Sequence, residues 1–138
     1  MRISARRRAL VCVLASLAIA VGACRTAPIM NVETDIAPPS GASLAEIENA
    51  IRVAGAELGW VIRPAGPGKM KGTYTHRNTG SPGYDLVAVV AIHYDEQHLS
   101  IQYEGSQNLQ HEGDEIHRKY NTWVANLEAQ IKKAVALL

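Results

Sequence analysis

The first two dozen residues set the terms for the whole chain, because they read as a segment that belongs to no folded domain. Arg2, Arg6, Arg7 and Arg8 crowd the start, and residues 9–20 continue without a charge, rich in Leu, Val and Ala. A positive stretch held at the negative inner face of a membrane, then a short apolar run, is the layout of an export signal. The apolar run is too short to remain as a span, which needs roughly 20 residues. It closes on Val21-Gly22-Ala23-Cys24, where small side chains give a peptidase access to the backbone. The domain must therefore be built from the residues beyond the cysteine.

Val21-Gly22-Ala23-Cys24 resembles the lipobox of bacterial lipoproteins: an aliphatic residue, two small residues and a cysteine. The resemblance implies cleavage before Cys24, diacylglycerol on its thiol and an acyl chain such as palmitate on its new amino group. Together these exceed the two signals that stable anchoring requires, where one chain alone binds marginally. The alternatives are a secreted protein with a chance cysteine and an uncleaved anchor. Arg7-Arg8-Ala9-Leu10 hints at twin-arginine export, but the aromatic and the later Lys of such signals are missing, so the general secretory route is expected. Arg25 comes after the cysteine in place of the aspartate that resembles an inner-membrane retention signal. The expected address is the outer membrane, facing the periplasm, with inner-membrane anchoring and surface display left open.

Removing residues 1–23 changes the charge balance. All thirteen acidic residues lie after Cys24 but only ten basic ones do, so the mature chain carries −3 rather than +1. That argues against a nucleic-acid partner, whose affinity comes mainly from neutralising phosphates. Cys12 leaves with the signal and Cys24 is consumed by lipid, so no disulfide forms, even in a compartment that would permit one. The fold rests on its apolar core, and roughly 95 residues suffice for one modest domain.

Residues 25–42 show no apolar periodicity and contain Pro28, Pro38, Pro39, Ser40 and Gly41. They read as a flexible tether of at most about 60 Å, with a single domain at 43–138. Leu44, Ile47, Ile51, Ala54 and Leu58 form one apolar stripe, predicting a helix over 44–58. Ser43 and Glu46 suit a capping box, and Gly59 a left-handed C-terminal cap. Strands are expected at 60–63, 69–77, 84–94 and 99–104, each alternating or bounded by turn chemistry. A polar loop over 105–113 leads to a last helix from about 115, capped by Asp114 and carrying the stripe Ile116, Tyr120, Trp123, Leu127, Ile131, Ala134 and Leu138. The expected fold class is α+β: a two-layer sandwich of a three- or four-stranded antiparallel sheet with an N-terminal and a C-terminal helix on one face.

Several of these stretches resemble a group of small, uncharacterised proteobacterial envelope lipoproteins. They are Val90-Ala91-Ile92-His93-Tyr94-Asp95, Leu99-Ser100-Ile101-Gln102-Tyr103 with Ser106-Gln107-Asn108-Leu109, and Ile116-His117-Arg118-Lys119-Tyr120-Asn121-Thr122-Trp123-Val124. The Tyr-Asn-x-Trp run is the most specific part. The likeness spans about 44–138 and implies a Gram-negative envelope and a similar small domain, with no activity attached.

No nucleophile elbow, phosphate loop, zinc-protease pair or paired-carboxylate motif is present, so no catalytic residue is assigned. Five histidines raise a metal site, but no two have helical i, i+4 spacing; neither a metal nor a cofactor is expected. Two groups stand out as candidate binding residues. Ser106, Asn108, His117 and Asn121 would meet if the polar loop folds back on the last helix, where His117 and Asn121 share a face. Their structural alternative is bonding to loop backbone. Lys69, Lys71 and Arg77, with His93, Val87 and Val89, would lie on the sheet face away from the helices, diluted by Asp85 and Glu104. Their structural alternative is a solvated face. The expected function is a membrane-anchored, non-enzymatic module that binds an envelope protein or an anionic envelope polymer. An envelope hydrolase or transferase working through His117, and a small-ligand binder, are the alternatives.

Overall fold

In the computed structural model, residues 25–138 are described; the expected export signal and Cys24 lie outside the described residues. Within them run nine elements: β1 (Thr26–Pro28), β2 (Val32–Asp35), α1 (Leu44–Glu57), β3 (Trp60–Gly66), β4 (Lys69–His76), β5 (Leu86–Tyr94), β6 (His98–Gln107), β7 (Glu115–His117) and α2 (Arg118–Ala136). Five strands form an antiparallel sheet in the order β2-β6-β5-β4-β3, and β1 and β7 form a separate antiparallel ribbon. The fold is the α+β sandwich read from the sequence, with both helices on one face and a wider sheet than expected.

The helix over 44–58 forms through the local chemistry its sequence carries. The Ser43 hydroxyl accepts from the Glu46 N–H, and the Glu46 carboxylate accepts from the Ser43 N–H, so both halves of the capping box are made. Gly59 ends the helix at φ +87, a conformation that strains any residue with a Cβ. Gly55 has another role: a Cβ there would run into Ile62 on β3, so its absence sets how closely α1 packs on the sheet edge.

The core lies between the helices and one sheet face. Ile47, Ile51 and Ala54 of α1 and Tyr120, Val124, Leu127, Ile131 and Val135 of α2 meet Met70, Ala88, Val90, Ile92, Leu99 and Ile101 of the sheet. Burying each larger aliphatic side chain contributes about 2 kcal/mol. A bulge between Val89 and Val90 sets the extra residue Glu104 opposite them on β6, and beyond it β6 runs on to Gln107.

Three expectations are corrected. The segment 25–42 is not a free tether along its length. β2 is an edge strand of the main sheet, paired Val32↔Ile101 to Asp35↔His98, and Val32 and Ile36 are buried. The domain thus begins near Thr26 rather than at residue 43. Residues 105–107 extend β6 instead of starting a loop. The last helix starts at Arg118, not 115, because Glu115–His117 is drawn out as β7 by pairing with β1; its cap is His117, while the Asp114 carbonyl accepts from the Ile29 N–H.

Candidate functional site

β7 runs into α2 without a break, and that junction gathers His117 and Asn121. The His117 N–H donates to the Leu109 carbonyl at 2.7 Å, and its Nδ1 accepts from the Lys119 N–H at 3.2 Å. As an acceptor, Nδ1 must be unprotonated, which leaves the ring proton of the neutral form on Nε2. Burial, and then the charges of Lys119 and Arg25, hold the imidazole below its ordinary value of 6.5. Asn121 is occupied on both ends of its amide: Nδ2 donates to the Pro28 carbonyl and Oδ1 accepts from the Met30 N–H, both at 2.9 Å. It clamps the N-terminal arm to α2. The Arg118 N–H adds a bond to the Arg25 carbonyl at 3.0 Å.

Ser106 and Asn108 lie elsewhere and are spent differently. The Ser106 hydroxyl bonds the Tyr103 hydroxyl at 2.9 Å. Tyr103 in turn stacks on His111 and meets Tyr120 edge-on, with centroids 4.8 and 5.6 Å away. The Tyr120 hydroxyl is buried with no hydrogen-bond partner, and burial pushes its pKa up. Asn108, in the left-handed region at φ 58, donates to the Asp85 carbonyl at 2.8 Å, while the Asp85 carboxylate accepts from the Asn78 N–H. This pair laces the loop between β4 and β5 to the exit of β6.

No hydrogen bond therefore joins any two of Ser106, Asn108, His117 and Asn121. Asn108 borders an open hollow of about 500 Å³ with Asn78, Ser81, Tyr84 and Gln110; the other three do not. Ser106 has a phenol as its partner, not a base, so it is not an activated nucleophile. The Tyr-Asn-x-Trp run is likewise accounted for by packing: Tyr120 fills the core, Asn121 holds the arm, and Trp123 packs at a tilt against Tyr74, ring centroids 4.7 Å apart.

The sheet face away from the helices is uncovered. Lys69 stands opposite His93, Lys71 opposite Ala91, and Thr73 opposite Val89, so these side chains share that face. Arg77 comes after the last paired residue of β4 and is exposed in the loop rather than on the sheet. Arg63 of β3, which strand pattern alone does not single out, is paired with Lys71 and joins the basic group. Lys71 meets Glu104 at 3.5 Å, an exposed pair of small energetic weight. Toward β2 the face turns acidic: Glu33 stands opposite Ser100 and accepts from the Gln102 amide at 2.9 Å. Between the two charged flanks lie Val87 and Val89 of β5, partly exposed; Val61, 53% exposed, is on the outer edge strand β3 beside Arg63.

His98 lies 3.3 Å from Asp95 and 3.6 Å from Asp35, all on the surface. Hydrogen bonds from the Gln97 and His98 backbone lower the Asp95 pKa. Among the described residues, no group of three or more His, Cys, Asp or Glu is placed to hold a metal ion, and no helix is long and apolar enough to cross a membrane. Compared with protein-family models, curated proteins and solved structures, the chain matches none.

Proposed function

We propose that this chain is a membrane-anchored, non-enzymatic envelope module whose uncovered sheet face holds another envelope component, a protein or an anionic polymer. The observation that carries the reading is the asymmetry of the sheet. One face is sealed by two helices, while the other presents Val61, Val87 and Val89 beside Arg63, Lys69 and Lys71. Apolar surface with basic residues on one side and acidic residues on the other suits a partner of matching shape and complementary charge. The anchor is lipid on Cys24, supported by the lipobox-like stretch; the likeness to small envelope lipoproteins supports a Gram-negative envelope, and Arg25 in place of an aspartate after the cysteine supports an outer-membrane address facing the periplasm. A hydrolase is not proposed, because the polar side chains it would need are engaged in hydrogen bonds to backbone or to a phenol.

A photo-crosslinking residue at Thr73, in the middle of the open face, tests this in intact cells. A discrete adduct is expected, weakened by Arg63→Glu with Lys69→Glu. No adduct in cells, together with no binding of the purified protein to envelope fractions, would sink the reading.

A further inference from the structure

The arm that reads as a spacer is fixed to the domain from its first described residue. The Arg25 carbonyl accepts from Arg118, Thr26 stands opposite His117 in the ribbon, and Asn121 closes on Pro28 and Met30. Cys24 is the residue immediately before Arg25 in the chain. Lipid on Cys24 would enter the bilayer beside this corner, with no length of free chain between them.

The charge of the corner is a second, independent observation. Arg25, Arg118 and Lys119 are exposed, and among the described residues none of them enters an ion pair. The first turn of α2 contains no acidic residue, although the free N–H groups of a helix start favour anions and disfavour cations. Uncompensated positive charge thus collects at one corner of a mature chain whose net charge is −3. The acidic residues of the ribbon, Asp114 and Glu115, are at its other end, beside Ile29 and Pro28.

We propose that the corner formed by β1, β7 and the start of α2 is the surface that this domain lays on its own membrane, with Arg25, Arg118 and Lys119 against anionic headgroup phosphates. The inference rests on the lipid anchor of the proposed function. Basic residues this close to a bilayer are drawn to its negative surface within a Debye length. The far pole is then the turn between β5 and β6. β6 leaves it, runs about 33 Å over ten residues, and ends near Leu109, whose carbonyl is bonded to His117. The domain stands on its ribbon corner, and the open sheet face rises from the membrane instead of lying on it.

Because Cys24 is blocked by lipid and Cys12 is removed, an introduced cysteine takes a fluorophore alone. Lipidated full-length protein labelled at Thr122→Cys, one turn beyond Arg118, or at Gln97→Cys, in the far turn, is placed in phosphatidylcholine–phosphatidylglycerol vesicles bearing headgroup spin labels. The Thr122 probe is expected to lose most of its emission and the Gln97 probe to keep most of its own. Arg118→Glu with Lys119→Glu is expected to shrink that difference. The mass of the N-terminal peptide reports the lipid separately. Absence of lipid overturns the anchor and this inference together, whereas lipid present with equal quenching at both positions overturns the inference alone. A Thr122 probe shielded from an aqueous quencher in cells but untouched by the lipid-borne one would put a protein on this corner and overturn it too.

Discussion

The two helices begin in opposite ways. α1 opens with a reciprocal capping box, and hydrogen bonds from the Ser43 backbone and then its side chain lower the Glu46 pKa. An anion sits where the helix favours one. α2 opens with a histidine cap, two cations and a buried tyrosine hydroxyl without a partner, while Asn121 turns outward to hold the arm. Both starts solve the same local problem of unpaired N–H groups. Only the first solves it to the benefit of stability alone. The second shows what a helix start looks like when its residues also hold a remote segment and a charged surface.

Breaking the clamp should have the largest effect. Asn121→Ala removes two backbone-directed hydrogen bonds and should cost about 2 kcal/mol in chemical denaturation. Amide exchange should rise at Met30 ahead of the core, and a uniform rise would mean that the arm is not a separate unit. Tyr120→Phe removes the unpartnered hydroxyl and should stabilise by about 1 kcal/mol, provided that packing against Tyr103 is kept. A loss of that size instead would reveal a bonded hydroxyl.

Ser43→Ala should cost α1 about 1 kcal/mol. Arg118→Glu with Lys119→Glu should raise the stability of α2 by about 0.5 kcal/mol, because anions replace cations at the helix start. The same double variant is expected to weaken membrane apposition, so a gain in stability accompanied by a loss of position would sharpen the contrast between the two helices.

The smallest effect concerns pH. The folded His117 titrates below its ordinary 6.5, so the unfolded chain binds the proton more readily between the two values. Its contribution is full above 6.5 and lost as the pH falls through the lower folded value. His117→Asn supplies a capping oxygen in place of Nδ1 without a titrating ring, and between about pH 7 and 5 its stability should fall less than that of the wild type. Parallel curves would refute this role for the ring.

Much of the fold is legible in local pattern. The stripe Ile47, Ile51, Ala54 and the alternation Ala88, Val90, Ile92 each state which face is buried, and the structure buries those faces. The sequence also separates Lys69 and Lys71 from Met70 correctly, because side chains on a strand alternate. It places Ser106, Asn108, His117 and Asn121 together by supposing that the loop folds back; the loop does return, with the Leu109 carbonyl bonded to His117, but 105–107 continue as strand and the four side chains take separate partners. Val32, Thr34 and Ile36 do alternate, a faint signal of β2 hidden by the prolines and polar residues around it. Arg63 escapes notice because the face of a short strand next to Pro64 is not set by its own pattern.

Local sequence is enough to specify the two amphipathic helices, the existence of β3 to β6 and the capping box. Each of the structural features among these depends on residues within a few positions of one another. Membership of 25–36 in the domain comes only from tertiary pairing. β1 and β2 are held by backbone bonds to β7 and β6, strands that lie far away in the chain, and an edge strand needs little apolar periodicity of its own to accept them. That pairing also changes the role of Asn121 from candidate ligand contact to clamp, and turns an expected spacer into part of the folded domain.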